Sequence, residues 1–258
     1  MTTNSLSQAS SNTRHIVVIC GEPSGDVYAA QWIKHWHQHQ PDWQFFGLGG
    51  HHCAHTPMHL WQRMDQLSIM GFWQYVRNRS VFHRLLGQTL SNIKACQATA
   101  VVLVDYGGFN LALAQQLHLA HPGIPILYAI PPKWWAWGKW RHARLRQDTH
   151  HVFSFLPFEA VDLAHHKINH TIVNHPLIET IASSCPTLTH DAQSLPSAST
   201  NEPFRLTCMP GSRPQEIQGL SKILSHALTL TAQTIAIEVS IILAPGQSPA
   251  TIPIQSTS

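Results

Sequence analysis

Val101-Val102-Leu103-Val104-Asp105-Tyr106-Gly107-Gly108-Phe109-Asn110 is the stretch that decides the fold. Four aliphatic residues in a row, hidden on both faces, read as a central strand of a parallel sheet. The strand stops at a carboxylate, two glycines follow, and an apolar helical pattern runs from Phe109 to Leu119. In open α/β sheets ligands bind outside the carboxyl ends of the strands, so Asp105 stands where a substrate would be met. The alternative is that Asp105 caps the next helix or orders the Gly-rich turn.

Working outward, the same alternation recurs. Ile16 to Cys20 reads as a buried strand, Gly21-Glu22-Pro23-Ser24-Gly25-Asp26 as a turn, and Val27, Ala30, Ile33 and Trp36 as the inner face of a helix. Such a turn aims backbone N–H groups and a helix N-terminus at the ligand edge. It lacks the G-x-G-x-x-G of dinucleotide binding, and the second strand, Trp43 to Leu48, ends in Gly49-Gly50 instead of an acid for a ribose. A nicotinamide enzyme is therefore disfavoured. From Ser80, residues Phe82, Leu85, Leu86, Leu90 and Ile93 keep helical spacing. Strands are expected at Ile124 to Ile130, His151 to Phe155 and Thr171 to Val173, with Pro157-Phe158-Glu159 opening a helix. The result is an α/β fold, a doubly wound parallel sheet. The His-rich connection between Gly50 and Leu67 carries no clear element.

A second unit begins with a strand from Phe204 to Met209 and Pro210-Gly211-Ser212-Arg213-Pro214-Gln215-Glu216. Its helix runs to about Ala232 and a strand from Ile237 to Leu243 follows. An Arg at a helix start after a Gly turn offers a diphosphate site. One strand-helix-strand of this size cannot bury its own apolar faces. The expected organisation is a tail over 1–13, a Rossmann-like domain over 14–175, a Ser/Thr/Pro-rich linker over 176–203, an incomplete second Rossmann-like unit over 204–244 and a tail over 245–258.

Composition narrows the function. The formal charge of +3 is too mild to suggest nucleic-acid binding. Five scattered cysteines without a C-x-x-C pair suit a reducing cytosol, with Cys20 and Cys208 read as core residues. Among twenty histidines no H-E-x-x-H occurs, and Pro57 spoils the pairing of His55 with His59, so no metal site is expected. The polar first thirteen residues show no signal peptide, and no apolar run approaches the ~20 residues that span a bilayer. Any membrane contact is expected to be peripheral. Two segments mix aromatic and basic residues, Phe72 to Arg79 and Pro131 to Arg141. That mixture suits a lipid–water interface, and four tryptophans in the second suit sugar or acyl surfaces better than packing alone.

Taken in order, these stretches resemble the lipid-A-disaccharide synthases, inverting glycosyltransferases of the GT-B type with two Rossmann-like domains. The family's G-E-A-S-G-D is Gly21 to Asp26 with Pro23 for Ala, and its G-V-x-G and L-S-V-M-G match Gly47 to Gly50 and Leu67 to Gly71. Its I-D-x-P-D-F-N is Val104 to Asn110, with the second acid replaced by Gly108. S-P-S-V-W-A-W-R reads Pro131 to Gly138, so an Arg is lost although Arg141 remains. P-F-E is intact at Pro157 to Glu159, G-H-P is Asn174-His175-Pro176, and L-L-P-G-S-R-x-x-E is Cys208 to Glu216. The later S-G-T-x-x-L-E does not occur in the 258 residues.

The resemblance implies transfer of 2,3-diacylglucosamine from UDP to 2,3-diacylglucosamine 1-phosphate (lipid X), giving the β-1,6 disaccharide of lipid A in lipopolysaccharide synthesis. It implies Asp105 as general base, with Glu22, Ser24, Asp26, Asn110, Trp135, Trp137, Arg141 and Glu159 around the acceptor sugar. Ser212, Arg213 and Glu216 would bind UDP. No cofactor or metal is expected, because Arg213 and its helix would carry the diphosphate charge. The implied setting is the cytoplasm, peripheral on the inner face of the inner membrane, with a homodimer left open. Two alternatives stand beside this: a truncated remnant that keeps lipid- or nucleotide-binding surface without catalysis, and a related UDP-sugar transferase with another acceptor.

Overall fold

The structure is a computed structural model that describes residues 13–64, 79–136, 138–175, 177–178, 181–182, 203–211 and 214–243. The chain divides into two units, Met1–Thr187 and Leu188–Ser258.

The first unit is built on β1 (Arg14–Cys20), β2 (Trp43–Gly49), β3 (Met58–Arg63), β4 (Ala100–Val104), β5 (Ile126–Ala129), β6 (His151–Ser154) and β7 (His170–Ile172). They form one seven-stranded sheet in the order β3-β2-β1-β4-β5-β6-β7, and every pairing is parallel. Its helices are α1 (Pro23–His39), α2 (Arg79–Ala95), α3 (Gly107–Ala120), α4 (Arg141–Asp148) and α5 (Pro157–His165). Val17, Val18, Ile19, Val101, Leu103 and Val104 are fully buried, as continuous apolar runs covered on both faces should be. One core gathers residues of α2, α3, α4 and α5, including Leu85, Phe109, Leu145 and Leu163, against Val17, Ile19, Val101 and Leu103. The other sets Ala29, Ala30 and Ile33 of α1 against Val18, Cys20, Val102 and Val104. The doubly wound parallel sheet expected from the sequence is what forms.

Chain order reverses between β1 and β4, which lie side by side with Cys20 opposite Val104. This is the sheet's switch point, where the two following turns diverge and leave a crevice. Glu22 follows β1 and Asp105 follows β4, so both open onto it.

Two elements escape the sequence reading. β3 lies in the His-rich connection, and α4 lies where only a Trp-rich loop and a basic cluster are expected. Phe72 to Asn78 and Leu67 to Gly71 fall outside the described residues.

The second unit pairs β8 (Phe204–Cys208) with β9 (Ile237–Ile241) in parallel through α6 (Pro214–Ala232). Cys208 and Ile217 are buried within it, whereas Phe204, Met209 and Ile223 are exposed. A single strand-helix-strand has too little surface to cover its own apolar residues.

Candidate functional site

Asp105 and Tyr106 both adopt left-handed backbone, with φ of 50° and 52°, and Ile130 at the end of β5 does the same at 55°. Non-glycine residues there cost about 1–3 kcal/mol each and persist only where surroundings over-determine them. For Asp105 the surroundings are identifiable. Its N–H donates to the Ala129 carbonyl at 3.0 Å. Its carbonyl accepts from Asn110 Nδ2 at 2.8 Å and from the Tyr128 hydroxyl at 2.9 Å. The same Asn110 amide reaches the carbonyls of Ile19 and Val104, each at 3.3 Å, tying the ends of β1 and β4 together. Tyr128 is fully buried, and burial first, then the Asp105 charge, push its hydroxyl well above the usual range. It stays a donor.

The Asp105 side chain is thus presented from a fixed main chain. Its Oδ2 accepts from the Ser24 hydroxyl at 3.4 Å, and Ser24 is exposed. Tyr106, not Asp105, is the N-cap of α3, and it makes no side-chain cap bond. The Gly21 turn lies so close that a Cβ there would fall 2.5 Å from the Tyr106 ring, so the two turns need glycine at that contact. Glu22 is half-buried, and its charge and that of Arg141 both act on Tyr128. Burial and the Asp105 charge also raise Tyr28, whose ring meets Phe155 and His175 edge-on at 6.1 and 5.9 Å. Ser24 and Asp105 therefore meet at the switch point with Tyr28 near the Asp105 charge, while Glu22 and the buried Arg141 act through their charges on Tyr128, which is buried beneath.

Other expected site residues take different places. Asp26 is buried, and its carboxylate accepts the N–H groups of Gly50 at 2.6 Å, His52 at 2.7 Å and Cys53 at 3.1 Å. Its geometry is that of a clamp on the turn after β2, which corrects the expectation that it lines the acceptor cleft. Asn110 is likewise fully buried, so it positions the two strand ends instead of touching a sugar. Trp134 is also fully buried, its indole N–H bonded to Asp162, so packing does account for that member of the Trp cluster. Trp135 is 45% exposed and donates to Glu159 at 2.8 Å, which fixes its ring. Glu159 is buried beside the Ser154 hydroxyl; burial raises its carboxyl above the ordinary value, against the Trp135 bond and the Lys133 charge. With Pro131, Phe155 and His175 it lines a small cavity of about 70 Å³. Glu216 belongs to the second unit, where a Cβ on Gly211 would meet its side chain at 2.8 Å. Trp137, Ser212 and Arg213 lie outside the described residues.

Two clusters have the composition of metal ligands. In Cys20–Asp26–Cys53 the Asp26 oxygens already hold three N–H groups, and the Cys53 thiol is pushed far up by its bond to Cys20 and by burial. In His142–Asp162–His166 the imidazoles stack 3.6 Å apart at 4°, so their lone pairs run parallel instead of converging on one ion.

Sequence reasoning missed Tyr28, Tyr128 and the positioning role of Asn110. No local signal marks any of them, because each acts across the switch point.

Residues 16–253 match the family model described as lipid-A-disaccharide synthetase. The chain belongs to the lipid-A-disaccharide synthase family. Lipid-A-disaccharide synthase 1 of Legionella pneumophila (strain Paris) is 27% identical over 219 residues, which is 85% of this chain and 56% of that protein. The Blochmanniella floridana synthase is 29% identical over 87% of this chain and 58% of its own length. That of Acidobacterium capsulatum is 30% identical over 81% and 51%. The chain thus spans about half the length of the curated relatives it matches. Among solved structures, Medicago truncatula UGT71G1 complexed with UDP-glucose is similar at a TM-score of 0.49, with 12% identity, covering 95% of this chain and 68% of that one. A glycosyltransferase from Rickettsia africae scores 0.45 at 16% identity, covering 93% and 63%.

Two of the departures from the family's motifs, Gly108 and Gly138, now have surroundings. A Cβ at Gly108 would meet nothing within 4 Å. Gly138 has φ +85°, and the Arg141 side chain comes within 3.1 Å of where its Cβ would stand. The family's arginine is absent at 138, and the Arg141 chain leans across that place. Among the described residues no helix is long and apolar enough to cross a membrane.

Proposed function

We propose that the chain supplies the acceptor side of a lipid-A-disaccharide synthase, which transfers 2,3-diacylglucosamine from UDP to 2,3-diacylglucosamine 1-phosphate. The observation that carries this reading is Asp105, a carboxylate at the switch point whose main chain is held by Asn110, Tyr128 and Ala129.

A sugar hydroxyl is a poor nucleophile until its proton leaves. In this reading Asp105 accepts the proton of the acceptor's 6-hydroxyl as that oxygen attacks the anomeric carbon. The bond from that carbon to UDP breaks, and its electron pair departs with the diphosphate. Attack opposite the leaving group inverts the anomeric centre. Ser24 orients the Asp105 carboxylate, and Arg141 with Trp135 contacts the acceptor. The leaving diphosphate needs a fixed cation or helix end. Arg213 before α6 is the residue proposed for that, without a metal. Acyl chains require a water–lipid boundary, so we assign the reaction to the inner face of the inner membrane, with the aromatic-basic segments as the peripheral contact.

The test uses the product of the complete reading frame, assayed with UDP-2,3-diacylglucosamine and lipid X. Replacing Asp105→Asn is expected to lower kcat by ~10²–10⁴ with fold retained, the range for losing a general base. Near-normal turnover would remove Asp105 from the mechanism. A non-lipid acceptor run in parallel separates a related UDP-sugar transferase from this reading.

A further inference from the structure

Three segments meet on the α1 side of the sheet: the end of β1 at Cys20, the first turn of α1 at Asp26, and the short turn that opens at Cys53 after β2. Each brings a side chain of metal-ligand type, and all three residues are buried. The two sulfurs lie 3.8 Å apart, and Asp26 Oδ1 lies 4.0 Å from Cys20 Sγ. Two main-chain carbonyls face the same sulfurs, Leu48 at 3.5 Å from Cys20 Sγ and Asp26 at 3.7 Å from Cys53 Sγ.

These separations decide what the cluster suits. A disulfide needs its sulfurs ~2.05 Å apart. Two thiolates on one tetrahedral ion stand ~3.7–3.8 Å apart, since zinc–sulfur bonds are ~2.3 Å long. Packing of two thiols gives a similar contact, but it does not call for oxygens against both sulfurs. Gly49 and Gly50 supply clearance. A Cβ on Gly49 would come within 3.0 Å of Cys53 Sγ, and one on Gly50 within 2.8 Å of Asp26 Oδ2. A carboxylate accepts from about four directions, and the N–H groups of Gly50, His52 and Cys53 take three. One is left for an ion.

We infer that Cys20, Cys53 and Asp26 bind a divalent ion of the zinc type, with the Leu48 carbonyl nearest the fourth position. Two sulfur ligands select zinc or softer ions over magnesium and calcium, which take oxygen sets. Burial and the bond to Cys20 keep the proton on Cys53 until an ion displaces it. As each sulfur bonds the ion its thiol proton passes to solvent, so two thiolates cancel the ion's two charges inside the core. The role is structural. The ion joins three segments, two of which, β1 and α1, flank Glu22. This site goes beyond the transfer reaction and does not rest on it.

The experiment uses the full 258-residue chain, reduced and stripped with a chelator, and titrates it with Co(II) and then Zn(II). Cobalt on thiolate gives a sulfur-to-metal charge-transfer band, which separates this site from the twenty histidines. One sulfur-bound ion per chain is expected, displaced by Zn(II). Cys20→Ala and Cys53→Ala should each weaken Zn(II) binding by ~10²-fold or more, since outer partners alone are worth ~10–100-fold. Cys96→Ala, half-buried after α2, should stay within about twofold of wild type. Circular dichroism checks that all three variants fold. Free Zn(II) at a hundredfold excess over Kd should raise the wild-type Tm by about 5 °C or more. Metal uptake without the sulfur band, or uptake unchanged in Cys53→Ala, assigns the ion to histidines and overturns the site. So does no uptake at all, or a Cys20–Cys53 disulfide that forms in its place. None of these outcomes bears on Asp105, so failure here leaves the transfer reading to its own assay.

Discussion

The first turn of α1, which follows β1, and the turn after β4 each carry an aspartate near the carboxyl edge of the sheet, and the two are held in opposite ways. Asp26 is gripped by its side chain, on which the N–H groups of Gly50, His52 and Cys53 converge. Asp105 is gripped by its main chain, through Ala129, Asn110 and Tyr128, and turns its carboxylate to the exposed Ser24 hydroxyl. A carboxylate filled with backbone amides is part of the scaffold. One presented from a locked, left-handed backbone is available to chemistry.

That contrast is most exposed to test by exchanging which property each substitution moves. Asp105→Asn should take ~10²–10⁴ from turnover and shift the melting temperature by less than ~2 °C, since the backbone bonds do not involve the carboxylate. Asp26→Ala should do the converse. It leaves three N–H groups around a buried site without their acceptor, at ~1–3 kcal/mol each. A loss of ~3 kcal/mol or more corresponds to a fall in Tm of about 6 °C or more for a chain of this size. Calorimetric melting of both variants decides it. If Asp26→Ala melts like wild type, the division between clamp and base dissolves.

How much of this was legible in the sequence follows from where each residue's partners lie. The central strands were readable because Val17 to Cys20 and Val101 to Val104 are covered on both faces and so are apolar without interruption. β3 was not, since Met58–Arg63 is an edge strand whose residues are mostly half-exposed. α4 was hidden because RHARLRQD offers Leu145 as its one buried aliphatic residue; Arg141, His142 and Asp148 are buried there beside it. Asp105 could be located from its place after a strand. That Asp26 and Asn110 serve the scaffold could not, because their partners lie 24 to 27 and up to 91 residues away. The same holds for Trp134, whose indole finds Asp162 28 residues on. Exposure, not residue type, separates it from Trp135.

A third acid sharpens the comparison more gently. Glu159 is buried like Asp26, yet its partners are the Trp135 N–H and the Ser154 hydroxyl instead of a set of backbone amides. Burial therefore wins, and its carboxyl titrates above the unfolded value of 4.5. The folded state then binds more protons than the unfolded one in that interval. Glu159's contribution is fully present below pH 4.5 and is lost as pH rises through the folded value. Melting curves from pH 4.5 upward should show this decline in the wild type and a flatter profile in Glu159→Gln, whose neutral amide does not ionise. Identical slopes in both proteins would mean that Glu159 is not held in its protonated form.

The smallest effect belongs to position 108, three residues from Asp105. Gly108 sits in the first turn of α3, and a side chain there would meet nothing within 4 Å. Gly108→Asp, which restores the family's second acid, needs no rearrangement. Replacing a helical glycine and placing a negative charge at a helix N-terminus each contribute ~0.3–1 kcal/mol. Tm should rise by about 1–4 °C, and turnover should change by less than about threefold. The contrast with Asp105 is the point. Main-chain bonds from Asn110, Tyr128 and Ala129 converge on residue 105, so a carboxylate there has a fixed direction. At 108 open space leaves the side chain to rotate, and an unfixed carboxylate makes a poor general base. A tenfold gain in kcat for Gly108→Asp would show that proton removal is shared between the two positions, and that directional fixing at 105 is not what the reaction requires.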